Sequence, residues 1–194
     1  MWLPRERPLH CHDFGFPKHM IRTRVGYTGG TTISPTYHRL GDHTETIDIE
    51  FDPNVTTYEK LLNLFWTNHS PTVCHKRQYM SAIFYHNDNQ KQLAEKSVQE
   101  TQKLYSKPIQ TKILLLDVFY EAEDYHQKYM LRKHNDLLKS LSLSDKQLIR
   151  SHIASRINGY LGNFGSIKQF EDESINWGLT DHQMNYIREQ IKNY

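Results

Sequence analysis

One acidic side chain of this sequence has a setting that suits proton transfer. Glu45 opens the segment ETIDIEF, whose strict alternation places it on the same strand face as Ile47, Ile49 and Phe51. Desolvation on an apolar face disfavours the charged carboxylate, so Glu45 is suited to hold a proton and donate it as a general acid. Two structural interpretations fit the same pattern: the carboxylate reaches solvent at the strand end, or it pairs with a nearby Arg or Lys.

The two cysteines are the other reactive side chains. Cys11 lies in the triplet His-Cys-His over 10–12, where it could be a nucleophile, a metal ligand or a surface thiol, although the triplet lacks the paired spacing of a zinc site. Cys74 precedes the basic residues 75–77, a setting that favours the thiolate. Two cysteines cannot form a disulfide framework, so we expect a reducing intracellular compartment.

The composition limits the class of protein. With 24 Lys+Arg against 22 Asp+Glu, the net charge of +2 gives no reason to expect nucleic acid or a membrane surface as the main partner. No apolar run approaches the roughly 18–20 residues of a membrane span. The aromatic fraction of 12% is too high for a disordered chain, so the 194 residues predict a folded core.

The first nineteen residues differ from the rest. Prolines at positions 4, 8 and 17 interrupt any regular element, and no apolar segment of a signal peptide is present. We predict an irregular N-terminus over 1–19; an organelle presequence is an alternative that the interspersed acidic residues do not favour.

The chain from residue 20 onward alternates strands and helices. The predicted elements are a strand over 21–27, a strand over 45–51, a helix opened by a Thr56/Glu59 capping box, a strand over 79–85, a helix over 87–105, a strand over 112–119 and a short helix over 121–133. This order predicts an α+β fold, an α/β two-layer sandwich with a ferredoxin-like mixed sheet and helices on one face.

The last sixty residues are helical in pattern. Ser144 is placed to cap one run and Thr180 to cap a final amphipathic helix that carries Met184, Ile187 and Ile191. We therefore predict three parts: an irregular N-terminus over 1–19, an α+β domain over 20–134 and a helical C-terminal extension over 135–194.

Five segments together resemble one enzyme family. They are RVGYTGG (24–30), SPTYHRLGDHTETIDIEFDP (34–53), YEKLLNLFWTNHSPT (58–72), QYMSAI (78–83) and FYEAEDYHQKY (119–129). Their order and spacing resemble peptide methionine sulfoxide reductase A over residues 20–134. The resemblance implies an oxidoreductase that repairs oxidative damage in proteins by reducing methionine S-sulfoxide, with no bound cofactor and with thioredoxin or a dithiol as reductant.

The resemblance also assigns roles to three residues. Glu45 takes the position of the buried acid that protonates the departing oxygen, and Tyr37 and Tyr79 take those of the hydroxyls that hydrogen-bond the sulfoxide. The structural alternative for the two tyrosines is core packing with a satisfied hydroxyl. Methionine sulfoxide proteins and thioredoxin are the implied partners. The implied location is cytoplasmic, with a mitochondrial one left open.

Two departures from the family pattern affect the chemistry. The Gly-Cys-Phe-Trp nucleophile element is absent, and the count along the chain places the expected cysteine near Glu6. We expect a truncated or mis-joined first exon, or an alternative start, to account for this. The strand before that element is missing too, so we expect a sheet that lacks a member. The loop VCHKRQ (73–78) is shorter than in the family and has no aspartate to help fix the substrate.

The departures leave the thiol unassigned. Cys74 is a candidate recycling thiol or substitute nucleophile, and Cys11 a candidate displaced nucleophile; an inert loop thiol and a surface thiol are the alternatives. Three functions follow. The first is a reductase impaired by the missing cysteine. The second is a non-catalytic relative that binds oxidised methionine or a protein partner, and the third, which has the least support, is a His/Cys metal-binding protein.

Overall fold

The computed structural model of the protein describes residues 20–192 and divides them into two compact units. Unit 1 comprises Val25–Asp48 and Asp52–Glu123; unit 2 comprises 20–24, Ile49–Phe51 and 124–192. The irregular segment predicted over 1–19, with Cys11, lies outside the described residues. The predicted boundary between 134 and 135 stays a prediction.

Five strands are described, and they form two sheets. They are β1 (Met20–Thr28), β2 (Thr44–Phe51), β3 (Ala82–Tyr85), β4 (Lys112–Leu115) and β5 (Tyr120–Glu121). The first sheet has the order β2-β1-β5, with β1 antiparallel to β5; the second pairs β3 with β4 in parallel, Ala82 opposite Lys112. The mixed α+β fold is confirmed, but the described strands divide between two sheets where one mixed sheet was expected.

Eight α-helices are described within 20–192. They are α1 (Tyr58–Thr67), α2 (Asp88–Gln102), α3 (Tyr129–Arg132), α4 (Asn135–Ser140), α5 (Asp145–Arg150), α6 (His152–Leu161), α7 (Ile167–Ser174) and α8 (Asp181–Lys192). Two 3-10 helices cover Arg77–Tyr79 and Asp124–His126. None of the helices in this range combines the length and the apolar character that crossing a membrane requires.

Strand β2 forms where the alternating pattern predicts it, but its burial differs from the prediction. Residues 44–47 are all buried, so both faces of the strand are covered at its beginning. Alternation is limited to the later half, where Glu50 is exposed and pairs with Arg22. The consequence is that Glu45 lies in a strand end closed on both faces, which desolvates it more strongly than a half-buried strand would.

Helix α1 begins one residue later than its capping box predicts. The cap is Thr57, whose hydroxyl accepts from the N–H of Lys60, whereas Thr56 is buried. The expected apolar stripe is otherwise present, and it forms the core of unit 1 with β3 and α2. This core comprises Leu62, Phe65, Trp66, Ile83 and Ala94.

Two predicted strands are shorter than expected. Residues 77–79 form a 3-10 helix, and the strand begins only at Ala82. Strand β4 ends at Leu115 and is not buried, since Lys112 and Leu115 are exposed and the two residues between them half-buried. The apolar run 112–119 therefore overstated the strand, because hydrophobicity alone does not fix where pairing ends.

The helical C-terminal region is confirmed with one change. Ser144 caps α5 with a capping box, as predicted, but Ser151 both ends α5 and caps α6, so one expected helix is two. Thr180 accepts from the N–H of Gln183 at the start of α8, as predicted. The core of unit 2 unites Leu131, Leu137, Leu148, Ala154, Ile157, Tyr160, Leu161, Phe170 and Ile187.

Candidate active site

Glu45 is a buried acid, and one of its two carboxyl oxygens accepts a hydrogen bond. The residue is 1% exposed, and its Oε1 accepts a hydrogen bond of 2.7 Å from Nε2 of Gln78. Burial raises the pKa of Glu45 to about 7, and the Gln78 bond opposes this shift without cancelling it. At neutral pH a large share of Glu45 is therefore protonated, in contrast to an ordinary surface glutamate.

The second oxygen of Glu45 is the one available for chemistry. Oε2 is buried and has no hydrogen-bond partner among the described residues. Because an amide N–H can only donate, Gln78 makes Oε1 the acceptor oxygen, and the proton of the neutral acid resides on Oε2. A buried polar atom left unsatisfied costs free energy. A ligand that accepts a hydrogen bond from Oε2 would recover this cost.

The two predicted tyrosines lie beside this acid. Tyr79 is the last residue of the 3-10 helix Arg77–Tyr79, and Tyr37 lies in the loop between β1 and β2; both are half-buried. The pKa of Tyr79 is raised by burial, then by the neighbouring charge of Glu45, and also by a hydrogen bond with Tyr37. The structure thus brings together Glu45, Tyr37 and Tyr79, although Tyr37 and Tyr79 are 42 positions apart in the sequence.

The loop that carries Tyr37 is fastened by Asp42. The Asp42 carboxylate accepts from the backbone N–H and the hydroxyl of both Thr31 and Thr32, at 2.8–3.1 Å. These donors, the backbone ones first, hold the pKa of Asp42 well below its usual range. Asp42 therefore stays ionised and closes the loop over Gly29–Gly41.

His43 and Arg77 fasten the same loop from other sides. The buried His43 accepts from the N–H of Gly30 at Nδ1, so Nε2 carries the proton and donates to the Thr32 carbonyl at 2.8 Å. Arg77 donates to the carbonyls of Asp42 and Gly29. The 3-10 helix with Tyr79 and the loop with Tyr37 are thereby tied together.

A second polar chain supports the loop after α1. His69 Nδ1 donates to the Phe65 carbonyl at 2.7 Å, so Nε2 accepts from the Ser81 hydroxyl at 2.9 Å, and Ser81 in turn accepts from Thr111 at 2.8 Å. Burial lowers the pKa of His69 to about 4. The imidazole is therefore neutral, and it ties the end of α1 to the residue that precedes β3.

Cys74 is the candidate thiol that lies within the described residues. Cys74 is an exposed free thiol in the loop between α1 and the 3-10 helix, and the hydrogen-bond partner of Glu45 is Gln78. Cys11 lies outside the described residues. Within residues 20–192, no group of three His, Cys, Asp or Glu side chains is arranged to hold a metal ion. The roles of Cys74 and Cys11 stay predictions.

Sequence reasoning missed Gln78, Asp42 and His43. Gln78 precedes Tyr79 in the segment QYMSAI, and Asp42 and His43 precede Glu45 in GDHTE, so all three stood inside recognised segments. Their contacts join residues 10–35 positions apart, and such contacts leave no periodic signal.

Comparisons with known proteins assign the chain to a family of oxidoreductases. The family model described as "Peptide methionine sulfoxide reductase" matches residues 12–157. The model described as "Selenoprotein methionine sulfoxide reductase A, helical domain" matches residues 142–192. The chain therefore belongs to the peptide methionine sulfoxide reductase family.

Individual relatives agree with this assignment. The chain is 46% identical over 176 residues to the peptide methionine sulfoxide reductase of Drosophila melanogaster, covering 89% of this chain and 72% of that protein. It is 36% identical over 157 residues to peptide methionine sulfoxide reductase A5 of Arabidopsis thaliana, of which it covers 61%. It is 41% identical over 131 residues to MsrA of Methanococcus maripaludis strain C5, and the match covers 62% of this chain and 83% of that protein.

Solved structures show the same likeness in three dimensions. Reduced Mxr1 of Saccharomyces cerevisiae superposes with a TM-score of 0.57 at 27% identity, over 60% of this chain and 73% of that one. Methionine sulfoxide reductase A of Corynebacterium diphtheriae superposes with a TM-score of 0.53 at 29% identity, over 60% of this chain and 65% of that one. The predicted family and fold class are thus confirmed.

Proposed function

We propose that this chain reduces methionine S-sulfoxide in peptides and proteins, with Glu45 as the acid that protonates the sulfoxide oxygen. The observation that carries the proposal is the buried Oε2 of Glu45, which has no hydrogen-bond partner among the described residues and lies beside Tyr37 and Tyr79. A sulfoxide oxygen is a strong hydrogen-bond acceptor without a proton, so it is complementary to an acid O–H flanked by two phenols.

The redox step requires two thiols for each sulfoxide. A thiolate attacks the sulfoxide sulfur while Glu45 delivers its proton to the oxygen, and the products are the thioether of methionine and a sulfenic acid on the thiol. A second thiol attacks the sulfenic sulfur, which forms a disulfide and releases water. The methionine sulfur gains the two electrons that the two thiols lose.

Cys74 and Cys11 are the proposed sources of thiol, and thioredoxin or a small dithiol is the proposed reductant. Cys74 is exposed, which suits exchange with another thiol. No bound metal or organic cofactor enters this scheme. A reducing compartment, which the cytoplasm provides, would keep both cysteines available.

An assay of the purified chain tests the proposal. With dithiothreitol and a peptide containing methionine S-sulfoxide, chromatography should show the methionine peptide. The rate should fall above about pH 7, where Glu45 loses its proton. Glu45→Gln keeps the Gln78 bond but cannot donate an acidic proton, so the rate should drop about 10²–10⁴-fold. An unchanged rate in this variant would contradict the role of Glu45.

The cysteine variants test the thiol. Cys11→Ser, Cys74→Ser and the double variant should separate the two candidates, and the double variant should be inactive. A double variant that turns over sulfoxide at the wild-type rate would overturn the sulfur-based scheme.

A non-catalytic relative is the second candidate function. Two observations favour it: the Gly-Cys-Phe-Trp element is absent from the sequence, and the cysteine of the described residues is an exposed one that does not bond Glu45. This function predicts that the chain binds a sulfoxide peptide but releases no methionine, with binding weakened in Glu45→Leu, which has no hydrogen-bond donor.

A further inference from the structure

We infer that Glu123 is a positioning residue for Tyr37, and that it fixes this phenol over the acid pocket. The inference rests on the proposed function of that pocket. Glu123 Oε2 accepts from the hydroxyl of Tyr27 at 2.7 Å, and Glu123 Oε1 accepts from the backbone N–H of Tyr37 at 2.8 Å. One carboxylate thus bridges strand β1 and the loop that carries Tyr37, although Glu123 is 86 positions from Tyr37 in sequence.

Tyr27 supplies the fixed end of this bridge. It is completely buried in β1 and lies opposite Tyr120 of β5 in the antiparallel register. The next residue, Thr28, donates its hydroxyl to the Val118 carbonyl at 2.7 Å. The Tyr27 hydroxyl is therefore held by packing and sheet pairing, and it sets the position of the Glu123 carboxylate.

The loop at Tyr37 is the end that needs holding. The Asp42 and His43 contacts fasten residues 30–32, whereas Ile33, Ser34 and Thr36 are exposed. Ser34 has a φ of +50°, in the left-handed region that non-glycine residues rarely adopt. The turn Thr36–Arg39 closes on itself through two backbone hydrogen bonds, which shape it but do not attach it to the sheet.

Glu123 attaches that turn at the residue that carries the phenol. A hydrogen bond to a carboxylate is shorter and about twice as strong as one between neutral groups. Because Tyr37 also hydrogen-bonds Tyr79, a shift of the Tyr37 backbone would misplace both hydroxyls relative to Oε2 of Glu45. The chain of dependence runs from Tyr27 through Glu123 to the pocket, and Glu123 itself need not touch a substrate.

Four variants separate positioning from general stabilisation. Glu123→Leu removes both hydrogen bonds, and Glu123→Asp shortens the side chain so that it cannot span Tyr27 and Tyr37. Glu123→Gln keeps an Oε1 acceptor for the Tyr37 N–H. Glu121→Leu, at an exposed glutamate of β5, is the matched control.

The readouts are the hydrogen exchange of the Tyr37 amide without ligand, the dissociation constant for N-acetyl-methionine S-sulfoxide methylamide, and the melting temperature. We expect Glu123→Leu and Glu123→Asp to speed exchange at Tyr37 and to raise the dissociation constant about tenfold or more. Glu123→Gln should stay within about threefold of wild type, and Glu121→Leu should match wild type.

Unchanged Tyr37 exchange and unchanged affinity in folded Glu123→Leu would overturn the inference; if that variant does not fold, Glu123→Asp decides in the same way. Should the wild-type protein bind no sulfoxide, the proposed function fails. Exchange at the Tyr37 amide still decides the position of Tyr37, because that measurement needs no ligand.

Discussion

Each unit of the molecule holds a glutamate with little solvent exposure, and the two have different environments. In unit 1, Glu45 has an amide on one oxygen and no described partner on the other, and its pKa is raised to about 7. In unit 2, the Glu173 side chain is 11% exposed, and Arg156 donates to it at 2.6 Å and 2.8 Å. The two carboxyl groups thus differ in their partners: the amide of Gln78 donates to Glu45, and the guanidinium of Arg156 donates to Glu173.

The difference agrees with the proposed role of Glu45 as a proton donor. Arg156 also reaches the Tyr160 hydroxyl at 3.3 Å, so the ionic pair is integrated in the helical core of unit 2. Glu45 lacks such integration at Oε2. Oε2 can therefore hydrogen-bond a ligand that enters the pocket, whereas the Glu173 carboxyl is already engaged by Arg156.

The same substitution in the two units should therefore have opposite effects, the larger of them in unit 2. Glu173→Gln removes the counter-charge of a buried guanidinium, and the free energy of unfolding should fall by about 2–3 kcal/mol. Chemical denaturation at pH 7.5 measures it. The matched control is Glu100→Gln in the exposed Lys96–Glu100 pair, which should change stability by less than about 0.5 kcal/mol. Equal losses of stability in Glu173→Gln and Glu100→Gln would contradict a structural role of the Arg156–Glu173 pair.

Glu45→Gln should stabilise the protein at alkaline pH. Between pH 4.5 and about 7 the folded state binds more protons at Glu45 than the unfolded state, so wild-type stability falls as the pH rises through this window. The variant cannot ionise and should be about 1–2 kcal/mol more stable above pH 7. No gain is expected near pH 4. A variant that is less stable than wild type at pH 8 would show that Glu45 is an ordinary paired carboxylate.

Gln78→Leu should sharpen the contrast by removing the polar partner of Glu45. The Gln78 bond lowers the pKa of Glu45 against the effect of burial, so its loss should raise that pKa further. Titration of the Glu45 carboxyl by carbon NMR measures this without any activity, and the alkaline limb of the rate profile should move with it. Gln78→Glu would instead place a second acid beside Glu45. If Glu45 titrates in Gln78→Leu as it does in the wild type, the Gln78 amide does not donate to Oε1 of Glu45 in solution.

His69 should change the pH dependence of stability with the opposite sign to Glu45. Its pKa is lowered to about 4, so the folded state binds fewer protons there than the unfolded state between pH 4 and 6.5, and stability rises with pH in that window. In a Glu45→Gln background, His69→Gln should flatten this rise. A slope of stability against pH that is unchanged by His69→Gln would show that other groups carry the acid dependence.

The local elements were predictable, because they depend on neighbours in sequence. The β2 segment, the Ser144 and Thr180 caps and the apolar stripe of α1 follow from alternation, helical spacing and capping chemistry. Thr57 rather than Thr56 caps α1, which shows the usual limit at element ends. Glu45 was found because its carboxyl interrupts an apolar face.

The remaining features of the site were not predictable from local pattern. Gln78 and Glu123 act through contacts that join residues 33 and 86 positions apart, and Tyr79 lies in a 3-10 helix inside a segment that reads as a strand. The apolar residues around Tyr79 indicate burial but not the turn that aims its hydroxyl. Tertiary contacts decide this, and a single sequence shows them only through the family resemblance.

Within residues 20–192, the chain passes between its two units at 24/25, 48/49, 51/52 and 123/124. Neither unit is therefore a contiguous stretch of gene, and no single cut yields either one intact. A truncation after residue 134 would leave Ile49–Phe51 and the start of β1 without most of unit 2, although both segments precede the deletion by far in sequence. The helical C-terminal region therefore cannot be exchanged as an independent segment. A recombination event that replaced it would also have to replace the parts of β1 and β2 that belong to unit 2.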